Sequence, residues 1–193
     1  VVPYCPRCGT ALSSHEVAQG YKDVTETSIF VSFPVKGEKD TYLLAWTTTP
    51  WTLPSNVALC VNAHEDYCEF HLDGQTYILA QALLHAVFGE KAHEGQVLKT
   101  MKGAELCGTA YEPLYDVERE GAKFHYVVCD SYVTMSDGTG IVHIAPAFGE
   151  DDARVGRDNQ LPFVQLVDTQ GKFVEGTPWA GEGTKQVNEK IIE

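Results

Sequence analysis

The chain has 193 residues, 44% of them hydrophobic, and a formal net charge of −13 at pH 7. That length suits one globular domain with a small appendage, which buries roughly 70% of its unfolded surface without needing cross-links. No run of about 18 apolar residues suggests a membrane span, and an acidic balance excludes the kind of basic face that grips phosphates.

The chain starts at Val1, directly on a metal-type motif and without a secretory leader, so it is expected to be a piece of a longer polypeptide. Residues 1–24, "VVPYCPRCGTALSSHEVAQGYKDV", read as a leader: a knuckle, a polar turn and a link into a body that fills 25–193. Within the leader, Cys5-Pro-Arg-Cys8-Gly is half of a zinc site, because two thiolates on a tight turn can take two corners of a tetrahedron. His15 could be a third ligand, and the remaining ligands are expected outside this chain. Two free thiols are the plainer alternative. With no secretory signal, Cys60, Cys68, Cys107 and Cys129 read as reduced thiols rather than disulfides.

From Thr27 onward, short β-type runs alternate with turn signals: "SIFVSFPV", "TYLLAW", "NVALCVN", "YCEFHL" and "QTYIL". Asp73-Gly74 between the last two is a hairpin signal. "KFHYVVCDSYVT", "GIVHIA" and "FVQLVD" follow, the last before a turn over 169–172. Helices are fewer. "LAQALLHAVFGE" has apolar residues at helical spacing and a Gly89 cap, "GEDDARVGRDNQ" has acids in its first turn, and "GEGTKQVNEKIIE" has Thr184 as a candidate N-cap. Together these read as a mostly β, α+β body with a few helices, barrel-like in architecture.

Two segments carry chemistry. In "AWTTTPWTLPSN", Thr47 and Thr49 fall on one face of a strand end and Thr48 on the other, and Pro50 ends the strand. Such hydroxyls can bond a sugar, a phosphate or a water, and Trp51 offers an apolar wall. In "DGTGIVHIAPAFGEDD", the Gly138-Thr139-Gly140 turn lets backbone approach a ligand, while His143 lies opposite Val142 and Ile144. The acids Glu150, Asp151 and Asp152 open a helix, where a carboxylate can bind an ammonium group. Taken singly, a Thr-rich strand end, one histidine and an acidic helix start are ordinary structural features.

Taken together, "WTTTPWTLPSN" and "GTGIVHIAPAFGEDD" resemble the two signature segments of the editing (CP1) domain inserted in isoleucyl-tRNA synthetases, which are class I aminoacyl-tRNA synthetases. The "YCPRCGTALSSHEV" opening is similar to the zinc-knuckle border of many of those enzymes, and the resemblance covers essentially the whole chain. The leucyl pattern has an Arg in the Thr segment and the valyl pattern a Lys where His143 stands. The nucleotide-binding "HIGH" and "KMSKS" motifs are absent from this sequence, so activation of amino acids is not expected of it.

The resemblance implies the barrel-like fold of the valyl/leucyl/isoleucyl editing domains and hydrolysis of the ester of mischarged valyl-tRNA(Ile), with isoleucine excluded by pocket size. One methylene is worth only about 1–3 kcal/mol, a figure for which this family is itself the standard illustration. Asp152 would hold the substrate ammonium. Thr47, Thr48 and Thr49 would meet the terminal adenosine or the attacking water, and Trp51 and His143 would line the side-chain pocket. Thr52, Asn56, Gly138, Thr139, Gly140 and Phe148 complete the substrate-binding set, with backbone N–H groups of the glycine turn available to an oxyanion. No nucleophile–base pair stands out, so direct attack by water is favoured, with His143 as general base the variant mechanism.

The implied partners are the 3′ CCA end of tRNA(Ile), valine or valyl-adenylate, and the remainder of the synthetase chain. The implied setting is the cytoplasm, with no membrane and no cofactor required for editing. The alternatives are a non-catalytic module that binds a tRNA 3′ end, and a zinc hydrolase built on Cys5 and Cys8.

Overall fold

The computed structural model describes residues 2–23, 25, 27–115 and 124–192. The expected leader boundary at Val24 and the start of the expected strand run at Lys123 lie outside them. The leader forms a two-stranded ribbon, β1 (Tyr4–Cys5) with β2 (Thr10–Ala11), closed by Gly9 N–H donating to Cys5 O at 2.9 Å. Next comes α1 (Ser14–Gln19), where a polar turn is expected. A capping box makes the difference. Ser13 Oγ accepts Glu16 N–H at 3.3 Å, and the Glu16 carboxylate accepts Ser13 N–H at 2.8 Å.

The body contains β3 (Ile29–Pro34), β4 (Thr41–Thr47), β5 (Ala58–Val61), β6 (Asp66–Leu72), β7 (Gln75–Ala80), β8 (Gln96–Lys102), β9 (Tyr126–Cys129) and β10 (Ile141–Ile144). A five-stranded sheet has the order β3-β4-β7-β6-β8, and a three-stranded sheet the order β10-β5-β9. Both mix parallel and antiparallel pairs. The fold is α+β as expected, with open mixed sheets among the described residues in place of a closed barrel.

The β6–β7 hairpin turns on Asp73 and Gly74 with φ of +51° and +83°, the double left-handed turn that matches strand twist. β8 is an edge strand with Val97 and Leu98 exposed, so it carries no core-facing alternation to read. The run 163–168 forms only a bridge, Val167 with Phe173, because its sole pairing partner is that short return segment.

The expected helix over 79–90 is broken into a 3₁₀ turn (Gln81–Leu83), α2 (Leu84–Phe88) and a second 3₁₀ turn (Gly89–His93), since Gly89 adopts φ +54° and stops α2. α3 (Gly103–Leu106) follows β8, α4 (Glu150–Asp158) follows β10, and α5 (Thr184–Ile192) closes the described chain. Thr184 is the first residue of α5 rather than its cap; the Gln186 side chain takes the capping role, accepting Gly183 N–H at 3.2 Å.

Alternation along the strands sorts the core into layers. Phe33, Leu43, Ala45, Ile78 and Ala80 of the larger sheet meet Leu59, Val61, Val127 and Ile141 of the smaller one. The opposite face of the larger sheet, with Cys68, Phe70, Leu72 and Leu79, is covered by Leu84 and Ala92. The outer face of the smaller sheet, with Ala58, Cys60, Val128 and Ile144, packs Val155 of α4. A fourth cluster, Val167, Phe173 and Val187, sits beneath α5.

The cysteine expectation needs one correction. Cys60 and Cys68 are buried and free, but Cys107 and Cys129 are disulfide-bonded. Gly108 N–H donates to Val127 O at 2.8 Å, which lays the end of α3 beside β9 and brings the two Cα atoms to 6.2 Å, within bridging range. No helix among the described residues is long and apolar enough to cross a membrane.

Candidate functional site

The Thr segment sits where β4 leaves its neighbour. β4 pairs with β7 only over Thr41–Leu43, then continues to Thr47 with β3 as its one ladder partner. Thr48 bends, and Thr49 enters a 3₁₀ helix over Pro50–Ser55 whose first residue is proline, a position that needs no N–H donor. Thr47 is buried, Thr48 exposed and Thr49 half-buried. Thr47 Oγ1 accepts Thr49 N–H at 3.1 Å and lies 3.5 Å from Thr49 Oγ1, so the hydroxyls form a linked row.

His143 stands on β10 with its side chain turned toward that row. Its Nε2 is 2.9 Å from Thr52 Oγ1, whose proton is donated to Thr49 O at 2.8 Å. The direction of the contact between Nε2 and Thr52 follows the imidazole tautomer, and the other ring nitrogen is Nδ1. That Nδ1 is buried without a hydrogen-bond partner in the structure. Burial pushes the imidazole down to about pKa 4, so His143 is neutral at pH 7.

Asp152 arrives from α4. Pro146 ends β10's direction, and α4 starts after Gly149 with Glu150, Asp151 and Asp152 in its first turn. Glu150 and Asp151 are exposed, while Asp152 is half-buried, its Oδ1 accepting Ala145 N–H at 2.8 Å. A Cβ at Gly149 would collide with the Asp152 carboxylate, so the glycine makes room for it. Burial raises the Asp152 carboxyl above the usual carboxylate range, and the Ala145 N–H partly opposes that shift.

These parts share one cavity of about 240 Å³. Thr47, Thr48, Thr49 and Thr52 line one side, Val142, His143 and Ala145 the floor, and Trp46, Phe148 and Asp152 the rest. Of the three consecutive acids, only Asp152 reaches it.

Other expected site residues lie elsewhere. Gly138, Thr139 and Gly140 line a neighbouring hollow of about 250 Å³, which shares Trp46 and Val142 with the first. Gly138 and Gly140 have φ of +71° and +74°, and a Cβ on Gly138 would meet Trp46 Cε3 at 2.9 Å. The turn therefore belongs beside the cavity rather than in it. Thr139 is buried and bonds within its own turn, to Ile141 N at 3.3 Å.

Trp51 does not wall the cavity: its backbone N–H donates to Asn188 Oδ1 of α5 at 2.8 Å and its ring meets Phe148 edge-on at 4.9 Å. Asn56 is also outside. It is a buried bracket, donating to Ala58 O at 2.9 Å and accepting from Tyr111 OH at 2.6 Å. The wall that sequence reasoning missed is Trp46. Period two counted back from Thr48 puts Trp46 on the same face, and that signal was there to find.

Cys5 and Cys8 do not line the cavity. Cys8 N–H donates to Cys5 Sγ at 3.4 Å and holds that thiol below its ordinary value, which suits a thiolate ligand. The knuckle fits two corners of a metal site. Among the described residues no further histidine, cysteine or carboxylate gathers with them, His15 included.

Comparison with known proteins gives the same picture at two levels. No family model matches the chain. Isoleucine–tRNA ligase of Clostridium novyi is 57% identical over 196 residues, covering 100% of this chain, and that of Clostridium acetobutylicum is 56% identical over 194 residues. The relative from Bacillus thuringiensis is 46% identical, again across 100% of the chain. The chain spans 18% of the length of these relatives.

Among solved structures, GlLeuRS-CP1 superposes with a TM-score of 0.67 at 15% identity, over 86% of this chain and 93% of that one. The editing domain of P. knowlesi cytosolic leucyl-tRNA synthetase does so at 0.61 and 14% identity, over 90% and 94%. At such identities the likeness is one of fold. Sequence along the whole chain thus places this protein in the isoleucine–tRNA ligase family, and its fold is that of the leucyl-tRNA synthetase CP1 editing domains.

Proposed function

We propose that the chain is the editing hydrolase module of an isoleucyl-tRNA synthetase, cleaving the ester of valyl-tRNA(Ile). The observation that carries this reading is the meeting of Asp152, the Thr47–Thr49 row and His143 on one small cavity. Asp152 takes the substrate α-ammonium by a charge-assisted hydrogen bond. In the ligand-free cavity its carboxyl is raised by burial, and the arriving cation favours the ionised form again.

His143 acts as a steric gate. Thr52 fixes its ring, and its neutrality lets it face an apolar side chain without a stranded charge. The gate leaves room for the two methyls of valine and not for the extra carbon of isoleucine. The low pKa argues against His143 as general base, since a group near pKa 4 is a weak base at neutral pH.

Water attacks the ester carbonyl, helped by the free hydroxyl of the terminal ribose. The C–O bond to the ribose breaks, the departing oxygen takes a proton, and valine and uncharged tRNA leave. Thr48, exposed at the mouth, and Thr47 and Thr49 behind it contact the water or the terminal adenosine. The glycine turn at Gly138–Gly140, which opens on the neighbouring hollow, suits backbone contact with the nucleotide. The partners are the 3′ CCA end of tRNA(Ile), or valyl-adenylate, and the rest of the synthetase, in the cytoplasm. No cofactor enters the chemistry; zinc at Cys5 and Cys8 would take its other ligands from elsewhere in the longer enzyme and support structure.

Deacylation of valyl-tRNA(Ile) by the full-length enzyme, measured beside Asp152→Ala, tests this reading. Hydrolysis lost in the variant supports it. Tight binding of the tRNA 3′ end with no hydrolysis in the parent would replace it with a non-catalytic binding module.

A further inference from the structure

α4 carries two charged groups aimed in different directions. Asp152 faces the cavity, while Arg154, about 200° further round the helix, faces the end of β9. There its Nη1 donates to Asp130 Oδ2 at 2.7 Å and its Nη2 to Asp130 Oδ1 at 3.1 Å, a two-pronged planar contact. The other acids near Arg154, Asp151 at 3.4 Å and Asp158 at 3.7 Å, sit on α4 itself and tie it to nothing else.

Asp130 is firmly seated. Its N–H donates to Val61 O of β5 at 3.0 Å, and its Oδ1 accepts Tyr132 N–H at 2.9 Å. Its side chain is 16% exposed and that of Arg154 39%, so the pair is open to solvent on the arginine side. Arg154 also lies 5.7 Å from the centre of the Tyr132 ring. Neither Asp130 nor Arg154 lines the cavity, and nothing in the proposed hydrolysis uses them.

The geometry points to Asp130 and Arg154 as a positioning pair that fixes the roll of α4 and so the place of Asp152. The inference rests on the editing reading and deepens it. Besides this pair, α4 is held by the Ala145 N–H donating to Asp152 Oδ1 at 2.8 Å, by an apolar face, Ala153 and Val155, and by the close approach of Gly156 to Pro146. Apolar contacts are non-directional and tolerate a small rotation; a guanidinium fork on a carboxylate does not. The chain from Asp130 runs through Tyr132 and Val133 into the wall of the second hollow. The ion pair thus adds a second directional tie to α4, about 200° round the helix from the bond between Asp152 and Ala145.

The test uses the full-length synthetase. Asp130→Asn, Arg154→Met and the swap Asp130→Arg with Arg154→Asp are assayed for valyl-tRNA(Ile) deacylation, and hydrogen exchange is followed over residues 150–158. Each single variant is expected to lose about tenfold in kcat/KM, the scale of a sub-ångström to ångström misplacement. The loss falls on KM, because the ammonium is held in ground and transition state alike. A partly unfolded enzyme would lose kcat and keep KM.

The swap is expected to recover most of the loss, and exchange over 150–158 to quicken in the single variants alone. Parental kcat/KM with unchanged exchange in both single variants would overturn the inference, as would a loss in kcat alone that the swap leaves in place. If the parent enzyme itself fails to deacylate valyl-tRNA(Ile), the editing reading falls and exchange alone decides: faster exchange confined to 150–158 upholds the brace, and unchanged exchange overturns it.

Discussion

Two regions of the molecule treat polar side chains in opposite ways. The two faces of the β6–β7 hairpin, within the larger sheet, bury apolar groups, Ile78 on one and Phe70, Leu72 and Leu79 on the other, and the hairpin closes on local turn chemistry. The seam between the end of β4, the following 3₁₀ helix and β10 instead buries Thr47, Thr52, Ser55, Asn56, Thr139 and His143. Burying those groups costs free energy unless each is bonded. Nearly all are, through the Thr47–Thr49 row, the Thr52–His143 contact and the Asn56 bracket. The exception in the seam is His143 Nδ1. The apolar layers and the polar seam thus occupy different regions of the molecule.

The largest expected effect sharpens that division. Asp152→Ala should lower kcat/KM for valyl-tRNA(Ile) at least about 30-fold, since losing the charged partner of a part-buried ammonium costs about 2–5 kcal/mol. The folded state should not suffer. Because burial raises the Asp152 pKa in the folded protein, the folded state binds the proton more tightly than the unfolded one, and this group's contribution to stability falls as pH rises from about the ordinary carboxylate value through the raised one. At neutral pH, Asp152→Asn should therefore melt no lower than the parent in calorimetry. A marked drop in Tm would break the division.

Leu79→Ala is the converse. Leu79 is fully buried beneath α2, and truncation should cost about 3 kcal/mol in urea unfolding. Editing at a temperature where the variant remains folded should match the parent; a lost kcat/KM there would mean that the two regions are coupled.

His143→Ala comes next, at the scale of one methylene. It should let the enzyme attack correctly charged isoleucyl-tRNA(Ile), narrowing discrimination about 10- to 100-fold. Continued sparing of that substrate in a deacylation assay would remove the gate.

The smallest effect is on pH. As pH falls through the raised pKa of Asp152, the carboxylate that holds the ammonium is neutralised. The acid limb of kcat/KM should accordingly begin above the pH at which an ordinary aspartate titrates, and should vanish in Asp152→Asn.

What the sequence shows and hides follows from the range of the forces involved. The Asp73-Gly74 hairpin is legible because two residues fix their own backbone, and the Ser13…Glu16 box that makes α1 is equally local, in a stretch whose polar composition suggests a turn. Three consecutive carboxylates do not themselves say which one faces inward; the choice of Asp152 comes from the family resemblance. A helix beginning after Gly149, with no Cβ in the way, turns Asp152 inward and leaves Glu150 and Asp151 in water.

The two tryptophans make the same point. Trp46 and Trp51 flank the Thr triplet, and only the 3₁₀ helix after Thr49, fastened by Asn188 from 137 residues away, sends Trp51 to the α5 cluster and leaves Trp46 on the cavity. The Cys107–Cys129 pair was hidden for a related reason: it depends on α3 lying against β9, a tertiary contact with no local signature.

The central claim is that a valyl ester is held by its ammonium on Asp152 with its side chain against His143. A crystal of the full-length enzyme with a non-hydrolysable valyl-adenosine analogue tests it directly. The account predicts the ammonium nitrogen within about 3 Å of an Asp152 oxygen, with the isopropyl group packed on the His143 ring. An analogue seated elsewhere, or held in this cavity with its ammonium on Glu150, Asp151 or solvent, would contradict it.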